Sequence, residues 1–192
     1  MAREARDQGQ DKQGKDIEEQ VEAMRRHVDR ALARARAGLT ATLGYQSTDV
    51  ANVARKTVRM LKTLPDAGAL AWKVEIPNGL AFLGDDGDLT ELLGNVLDNA
   101  RKWAASRVDL HGQPDGDHVV LTIDDDGPGM SEEDTEHIER GKRWDEKTPG
   151  TGFGLAITRD LVSAYRGTLA LQRSPLGGLR IIITLPRAMR LT

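Results

Sequence analysis

Residues 123–129 read IDDDGPG and residues 150–155 read GTGFGL, and these two glycine-rich stretches predict both the fold and the site of this chain. The first follows a β-branched run, VVLTI at residues 119–123, so its carboxylates and glycines lie where a strand ends and the chain reverses. The second opens an apolar periodic segment, which predicts a helix whose first N–H groups have no partner within the helix. Free amides at a helix start suit phosphate, whereas a carboxylate repels phosphate but accepts a hydrogen bond from an amino group. We therefore expect the two stretches to hold opposite parts of one nucleotide.

The composition restricts the class of protein. At 192 residues the chain can fill one core and add a small element at one end. Its 30 acidic and 27 basic side chains give a formal charge of −3, which provides no general attraction to nucleic acid or to an anionic membrane. Cysteine is absent, so disulfides and thiolate metal sites are excluded. No apolar run approaches the length of about 18 residues that a membrane span needs, and we expect this chain to be soluble and cytoplasmic.

The N-terminal part differs from the rest of the chain. Residues 1–15 are polar and are expected to form a disordered tail. Residues 16–38 carry apolar residues at steps of three and four, the pattern of an amphipathic helix that either packs on its own domain or forms a dimer. Residues 39–47 are predicted to be a linker, so the main domain should occupy residues 48–192.

The main domain is predicted to be of the α+β class, a layer of helices on one mixed, mainly antiparallel sheet. Its first helix should be capped by Ser47, Thr48 or Asp49 and end at Pro65. Apolar periodicity assigns six residues to the buried face of this helix: Val50, Val53, Thr57, Met60, Leu61 and Leu64. Strands are predicted at residues 70–76, with a short continuation at 81–83, and at 108–111, 117–124, 167–172 and 179–185. Further helices are predicted from Asp85 or Asp88 to about residue 105, at 131–141 and from 155 to about 165, with a lid at 142–149.

A polar line runs along the helix predicted at residues 85–105. Glu91, Asn95, Asn99 and Lys102 follow one another at steps of four, four and three, which places them on one face. Asn is a poor residue for a helix interior, so two at this spacing indicate either an exposed polar face or a site.

Four motifs in this order make the chain resemble the ATP-binding catalytic domain of a bacterial sensor histidine kinase, in the superfamily shared with gyrase, the Hsp90 chaperones and MutL. Residues 91–103 resemble the N-box of that family, Asp125-x-Gly127-x-Gly129 its first glycine box, residues 150–155 its second and Gly177-Gly178 its third. The resemblance covers roughly residues 48–186. It implies the two-layer α/β sandwich called the Bergerat ATP-binding fold, preceded by an N-terminal amphipathic helix from a dimerisation hairpin.

The resemblance also implies roles for the residues around the base and the metal. Asp125 would accept a hydrogen bond from the exocyclic amine of adenine, and guanine has no donor at that position. Asn95 would provide an oxygen to Mg²⁺, while Asn99 and Lys102 would reach the phosphates or the ribose. Trp103 stands where the family usually has Tyr or His, and its ring could stack on adenine.

The resemblance assigns the lid and the second glycine box to the phosphates. Arg143 and Lys147 would bring positive charge onto the polyphosphate. The lid is most similar to that of the magnesium-sensing subgroup, although Thr148 stands where that subgroup has a second basic residue. Glu91 stands where gyrase-type ATPases carry the base that activates water. The implied catalytic residues are Glu91, Asn95, Lys102 and Arg143, and the implied nucleotide-binding residues are Asn95, Asn99, Lys102, Trp103, Asp125, Gly127, Gly129, Arg143, Lys147, Gly150, Thr151, Gly152, Phe153, Gly154 and Leu155.

The phosphoacceptor histidine of such kinases is not recognisable in the sequence. In the family it is followed by Asp or Glu and then by Thr-Pro or Asn-Pro, and His27 has neither behind it. His111, His118 and His137 lack the spacing of metal ligands. The resemblance therefore implies a fragment that begins inside the helical hairpin and binds ATP with Mg²⁺. Its expected partners are the phosphoacceptor helix of the full-length kinase, a response regulator and a second copy of the chain, which would bind through residues 16–37. No nucleic acid is expected as a partner. The parent protein would be an inner-membrane sensor.

Other interpretations remain open. An anti-sigma serine kinase or a gyrase-like ATPase would share the pocket, but the amphipathic N-terminal helix favours a dimerisation hairpin. A non-catalytic module would bind ATP without transferring phosphate. A Rossmann site is disfavoured because the second glycine box lacks the two-residue gap and the βαβ frame. A P-loop is absent because no Gly-Lys-Ser/Thr occurs.

Overall fold

A computed structural model describes residues 47–64, 70–130 and 154–188 of the chain. The predicted tail, amphipathic helix and almost all of the linker lie outside these ranges, as do the helix predicted at 131–141 and the lid. The predicted site residues outside them are Arg143, Lys147, Gly150, Thr151, Gly152 and Phe153.

The first described helix, α1 (Val50–Leu61), directly follows a short strand, β1 (Ser47–Asp49). Its N-cap is Asp49, whose carboxylate accepts a hydrogen bond of 2.9 Å from the Asn52 amide, and this confirms one of the three predicted caps. Two residues assigned to the buried face are exposed instead, Met60 by 56% and Leu64 by 39%. Met60 lies about 100° around the helix from the buried Leu61, and Leu64 lies beyond the last helical residue. The other four assigned residues are buried.

The main sheet has five strands, β2 (Ala71–Glu75), β4 (Arg107–Asp115), β5 (His118–Asp125), β6 (Thr168–Arg173) and β7 (Leu179–Pro186). They lie in the order β2-β4-β5-β7-β6. β2 and β4 are parallel, and the other neighbouring strands are antiparallel, which confirms the predicted mixed, mainly antiparallel sheet. β4 is longer than predicted because the turn that follows it narrows to Gly116-Asp117, whereas β5 has the predicted length and begins one residue later than predicted.

The strand predicted at residues 81–83 exists as β3 (Ala81–Leu83), but it pairs with β1 in a separate two-stranded sheet and does not continue β2. Between β2 and β3 the chain turns at Gly79, which has a φ of 80°, and the Leu80 amide bonds the Pro77 carbonyl at 3.3 Å. This turn carries the chain out of the main sheet, which is why the two apolar stretches belong to different sheets.

Two further helices are present, α2 (Asp86–Trp103) and α3 (Gly154–Ala164). They confirm the helices that apolar periodicity predicted for these segments. Asp85 caps α2 because its carboxylate accepts hydrogen bonds from the amides of Gly87 at 2.8 Å and Asp88 at 3.2 Å. α2 packs on α1, on α3 and on β5, and α3 also packs on β6 and β7. No helix within the described ranges is long and apolar enough to cross a lipid bilayer.

The core lies between this helix layer and one face of the sheet. Alternate residues of β7 are buried, beginning with Leu179 and ending with Leu185, and the same alternation occurs in β5 from Val119 to Ile123. The described residues therefore form the predicted α+β arrangement of two layers, and the residue two positions after Ile123 faces the helices.

Candidate nucleotide site

The centre of the site is Asp125, the last residue of β5, whose side chain lies on the helix side of the sheet. It is 3% exposed. Its Oδ1 accepts hydrogen bonds from the Gly127 amide at 2.9 Å and from the Leu179 amide at 3.1 Å, and no described residue donates to Oδ2. Asp125 is therefore a fixed, buried carboxylate that can accept a further hydrogen bond from an amino group.

Burial raises the pKa of Asp125, the two backbone N–H groups oppose this increase, and the carboxylates of Asp126 and Asp124 raise the pKa further. Asp124 lies on the opposite face of the sheet, where it accepts two hydrogen bonds from Arg180, at 2.8 and 2.9 Å. Strand alternation thus divides the acidic turn, because Asp125 faces the helices and Asp124 is paired elsewhere.

The turn between β6 and β7 closes over Asp125. The Gly178 amide donates to the backbone oxygen of Asp125 at 3.2 Å. A Cβ at Gly178 would lie 2.1 Å from Oδ1 of Asp125 and 2.5 Å from the nitrogen of Gly127. Gly177 has a φ of 108° and open space around it. The Gly177-Gly178 motif therefore has two functions, since the first glycine makes the turn and the second leaves room for the carboxylate.

The first glycine box lies against the C-terminal end of α2. A Cβ at Gly127 would lie 2.3 Å from the carbonyl oxygen of Trp103, and a Cβ at Gly129 would lie 3.1 Å from the carbonyl oxygen of Gly178. Gly129 also has a φ of 75°, which glycine adopts without strain. The side chain of Trp103 is 39% exposed, so a large ring lies partly open to solvent at this end of α2.

Asp126 fixes the same turn to the loop that follows α2. Its carboxylate accepts hydrogen bonds from the Ser106 amide at 2.9 Å, from the Arg107 amide at 3.0 Å and from the Ser106 hydroxyl at 2.5 Å. Burial raises the pKa of Asp126, but these hydrogen bonds outweigh burial and hold the pKa at about 2. This role of Asp126 was not predicted, because three successive Asp residues look alike until the strand register separates them.

The other end of the site is formed by Asn95 on α2 and by Gly154, the first residue of α3. The Nδ2 of Asn95 is buried and has no hydrogen-bond partner among the described residues. A Cβ at Gly154 would lie 3.9 Å from Oδ1 of Asn95. A buried amide with incomplete hydrogen bonding is uncommon and indicates a place for a polar ligand. The amide of Asn95 and the start of α3 therefore lie together.

The remaining residues of the polar line differ in environment. Asn99 is half-buried and Glu91 is exposed. The ammonium group of Lys102 lies 2.7 Å from Oδ2 of Asp98, and Nε of Arg101 lies 2.9 Å from Oδ1 of the same carboxylate. Burial raises the pKa of Asp98, but hydrogen bonds from Lys102 and Arg101 bring it below its ordinary value. Asp98 was not among the predicted site residues, although an acid four residues before a lysine on a helix is a recognised ion-pair signal.

The helix α2 connects the two ends of the site. Asn95 and Trp103 are about 12 Å apart along the helix axis, at 1.5 Å per residue. The region along α2 between these two positions, with a carboxylate acceptor near one end and an amide beside a helix start at the other, is named the slot. Leu155, which was included in the predicted set, is buried in the hydrophobic core.

Among the described residues no three His, Cys, Asp or Glu side chains form a metal-binding group. A magnesium ion in this slot would therefore depend on Asn95 and on oxygens of the nucleotide, which is compatible with the few protein ligands that Mg²⁺ usually takes. The environment of Asn95 fits this role, because rotation of its incompletely bonded amide can direct the oxygen towards a cation.

Known proteins are similar to this chain in sequence and in fold. A family model described as "Histidine kinase-, DNA gyrase B-, and HSP90-like ATPase" matches residues 84–189. The sensor protein kinase CarS of Pseudomonas aeruginosa is 49% identical over 111 residues, which are 57% of this chain and 25% of CarS. The structure of the mycobacterial sensor histidine kinase MprB matches this chain with a TM-score of 0.65 at 27% identity. The match covers 75% of this chain and 98% of the MprB chain. Full-length ShkA in complex with AMPPNP has a TM-score of 0.64 at 28% identity and covers 86% of this chain and 36% of that chain.

Proposed function

Because the chain belongs to the family of histidine kinase-, DNA gyrase B- and HSP90-like ATPases, we propose that it binds Mg-ATP in the slot beside α2 and passes the γ-phosphoryl group to a histidine of its parent kinase. The observation that carries the proposal is Asp125, a carboxylate that is 3% exposed and has one oxygen fixed by two N–H groups. The 49% identity to the sensor protein kinase CarS over a quarter of its length and the likeness to full-length ShkA, solved in complex with AMPPNP, support it.

At the base end, Asp125 selects adenine. With Oδ1 held by the amides of Gly127 and Leu179, the other oxygen accepts the hydrogen bond from the exocyclic amine. Guanine carries an oxygen at that position, so its binding would bring two acceptors together in a buried place. Trp103 lies at this end and provides an aromatic surface for stacking.

At the phosphate end, Asn95 would hold a magnesium ion by its amide oxygen, and the first amides of α3 would bind phosphate oxygens. The ion supplies charge neutralisation on the phosphate oxygens. Asn99 and Lys102 extend the same face of α2 towards the phosphates or ribose, and the ion pair with Asp98 orients Lys102. The lid residues Arg143 and Lys147 are proposed to add positive charge.

The reaction is attack of an imidazole nitrogen on the γ-phosphorus, with ADP as the leaving group. Catalysis comes mainly from positioning and charge neutralisation, since phosphoryl transfer requires little covalent participation by the protein. The acceptor belongs to the helical hairpin of the parent kinase, a response regulator receives the phosphoryl group next, and residues 16–37 form the dimer contact. The parent is proposed to be a membrane sensor with this domain in the cytoplasm.

A hydrolytic function is the second candidate, because Glu91 is exposed one helical turn before Asn95, where a base could activate water. The two functions separate in one experiment with radiolabelled ATP and a separately expressed acceptor hairpin. A kinase yields an acid-labile, base-stable phosphoprotein that persists in Glu91→Gln. An ATPase instead releases phosphate at a rate that Glu91→Gln abolishes, and binding without either product indicates a non-catalytic module.

The test of the binding site is Asp125→Asn. The amide oxygen of Asn can still accept from Gly127 and Leu179, but the NH₂ group then replaces the free oxygen and opposes the adenine amine. We expect ATP affinity to fall by about a hundredfold or more, with a gain in GTP affinity relative to ATP, as measured by calorimetry. Asp124→Asn is the matched control, because it makes the same change one residue earlier on the opposite face. Equal ATP affinity in Asp125→Asn and the unmodified chain would refute the assignment.

A further inference from the structure

The described part of the molecule contains a second contact between α2 and α3, remote from the nucleotide slot. Tyr165 directly follows α3, and its hydroxyl donates a hydrogen bond of 2.6 Å to Oδ2 of Asp88 in the first turn of α2. The same hydroxyl accepts a hydrogen bond of 3.3 Å from the amide of Asp85, the N-cap residue of α2. One side chain at the end of α3 thus holds the beginning of α2.

This contact is buried and sterically defined. Tyr165 is 7% exposed and Asp88 4% exposed. The ring of Tyr165 packs edge-on against Phe82, with the ring centroids 4.8 Å apart. A Cβ at Gly84 would lie 2.6 Å from the Tyr165 ring and closer still to Phe82. Burial and the hydrogen bond to Asp88 raise the pKa of Tyr165, so its hydroxyl keeps its proton and remains a donor.

The two contacts between the helices lie at opposite ends of α3. Asp88 contacts Tyr165 at the C-terminal end of α3, and Asn95 lies beside Gly154, the first residue of α3. The helices therefore run antiparallel, and the position of α3 along α2 determines where its first amides lie relative to Asn95. Apolar packing alone permits small sliding of one helix on another, whereas a short buried hydrogen bond specifies one position.

We propose that the Tyr165 hydroxyl is a positioning group for the phosphate end of the nucleotide site: by its hydrogen bond to Asp88 it fixes α3 along α2 and so holds the first amides of α3 beside Asn95. The inference rests on the proposed binding of Mg-ATP. It does not involve Asp125, whose acceptor oxygen is fixed by backbone N–H groups of Gly127 and Leu179, or Trp103, which lies at the opposite end of α2 from Asp88. Loss of the hydroxyl should therefore weaken binding of the phosphates and leave binding of the base unchanged.

The experiment measures the dissociation constants of Mg-ATP and of adenosine for the full chain, by calorimetry, in the unmodified protein and in Tyr165→Phe. Phe keeps the ring against Phe82 and removes only the hydroxyl. We expect the constant for Mg-ATP to rise about five- to tenfold and the constant for adenosine to stay within about twofold. The control is Thr57→Val, which removes a buried hydroxyl that bonds the Val53 carbonyl at 3.0 Å within α1, and we expect both constants to be unchanged.

An unchanged ratio of the two constants in Tyr165→Phe, even with reduced stability, would assign Tyr165 a purely structural role and overturn the inference. Failure of the unmodified chain to bind Mg-ATP would instead overturn the proposed function, and the inference with it. If Tyr165→Phe does not fold, Asp88→Asn replaces it, because the amide oxygen keeps a weaker acceptor of the same size. A rise of about two- to threefold for Mg-ATP alone would then support positioning, and no selective rise would refute it.

Discussion

Substitution of Gly178 should show whether the β6–β7 turn holds the Asp125 carboxylate in place. In Gly178→Ala the new Cβ would lie 2.1 Å from Oδ1 of Asp125, whereas ordinary contact begins at 3.4 Å. The β6–β7 turn must therefore withdraw by about 1 Å or more, since close-packed backbone atoms do not yield. The hydrogen bonds from the Leu179 amide at 3.1 Å and from the Gly178 amide at 3.2 Å would then exceed the range of a hydrogen bond.

The cost follows from these two bonds. A neutral backbone hydrogen bond contributes about 1 kcal/mol and one to a carboxylate about 2 kcal/mol, so Gly178→Ala should lower the free energy of unfolding by about 3 kcal/mol. Gly177→Ala is the matched control in the same turn. Its Cβ meets nothing within 4 Å, but its φ of 108° strains alanine by about 1–2 kcal/mol. Both variants should be destabilised, yet only Gly178→Ala displaces the carboxylate.

Urea unfolding gives the two free energies, and calorimetric titration with ATP and GTP gives the purine selectivity. We expect Gly178→Ala to lose about tenfold or more in ATP affinity and part of its preference over GTP, and Gly177→Ala to keep both within about threefold. If Gly178→Ala retained the ATP preference of the unmodified chain, or if the two variants lost it equally, the turn would not control the acceptor and the reasoning would be wrong.

Two further predictions concern stability. The pKa of Asp126 is about 2 in the folded chain against an ordinary 3.8, so its stabilisation is complete above about pH 4 and is lost as the pH falls towards 2. Asp126→Asn should therefore lower the free energy of unfolding by about 1 kcal/mol at neutral pH, after allowance for solvent screening. Urea titrations should show that the difference between the variant and the unmodified chain closes between about pH 4 and 2.5. A difference that does not depend on pH would contradict this prediction. Arg166 lies two residues after the last residue of α3 and has a φ of 55°. Arg166→Gly should therefore raise the free energy of unfolding by about 1 kcal/mol. Ser163→Gly, within α3, should lower it by a similar amount, and thermal unfolding of both variants tests the sign.

The parts of the fold that sequence could predict depend on local patterns. The helices α2 and α3 follow from apolar periodicity, and the cap at Asp49 follows from a side chain that bonds an amide three residues on. The failures occur where the partner is distant in sequence. β3 pairs with β1 because of a turn at Gly79 that the apolar pattern does not encode, and Met60 is exposed because α1 buries only one stripe against its neighbours.

The same distinction applies to the candidate site. The resemblance marked Asp125 and the two glycines that follow it, and the structure places all three at one turn. It gave no reason for Gly178, because the contact with Asp125 joins strands that are separated by more than fifty positions. The roles of the lid and the second glycine box stay predictions, since residues 131–153 lie outside the described ranges.

The two ends of the slot are held by different kinds of interaction, and this difference has a functional consequence. At the Asp125 end, backbone hydrogen bonds from Gly127 and Leu179 fix the acceptor within neighbouring strands and turns. At the Asn95 end, the geometry depends on how α3 lies along α2, a helix contact that is pinned at Tyr165. Strands held by sheet hydrogen bonds can shift only by whole residues, whereas packed helices can slide by small amounts. Purine selectivity should therefore be insensitive to changes at the helix contact, while phosphate affinity should respond to them. A helix displacement transmitted from elsewhere in a kinase would then alter phosphate binding and leave recognition of the base intact.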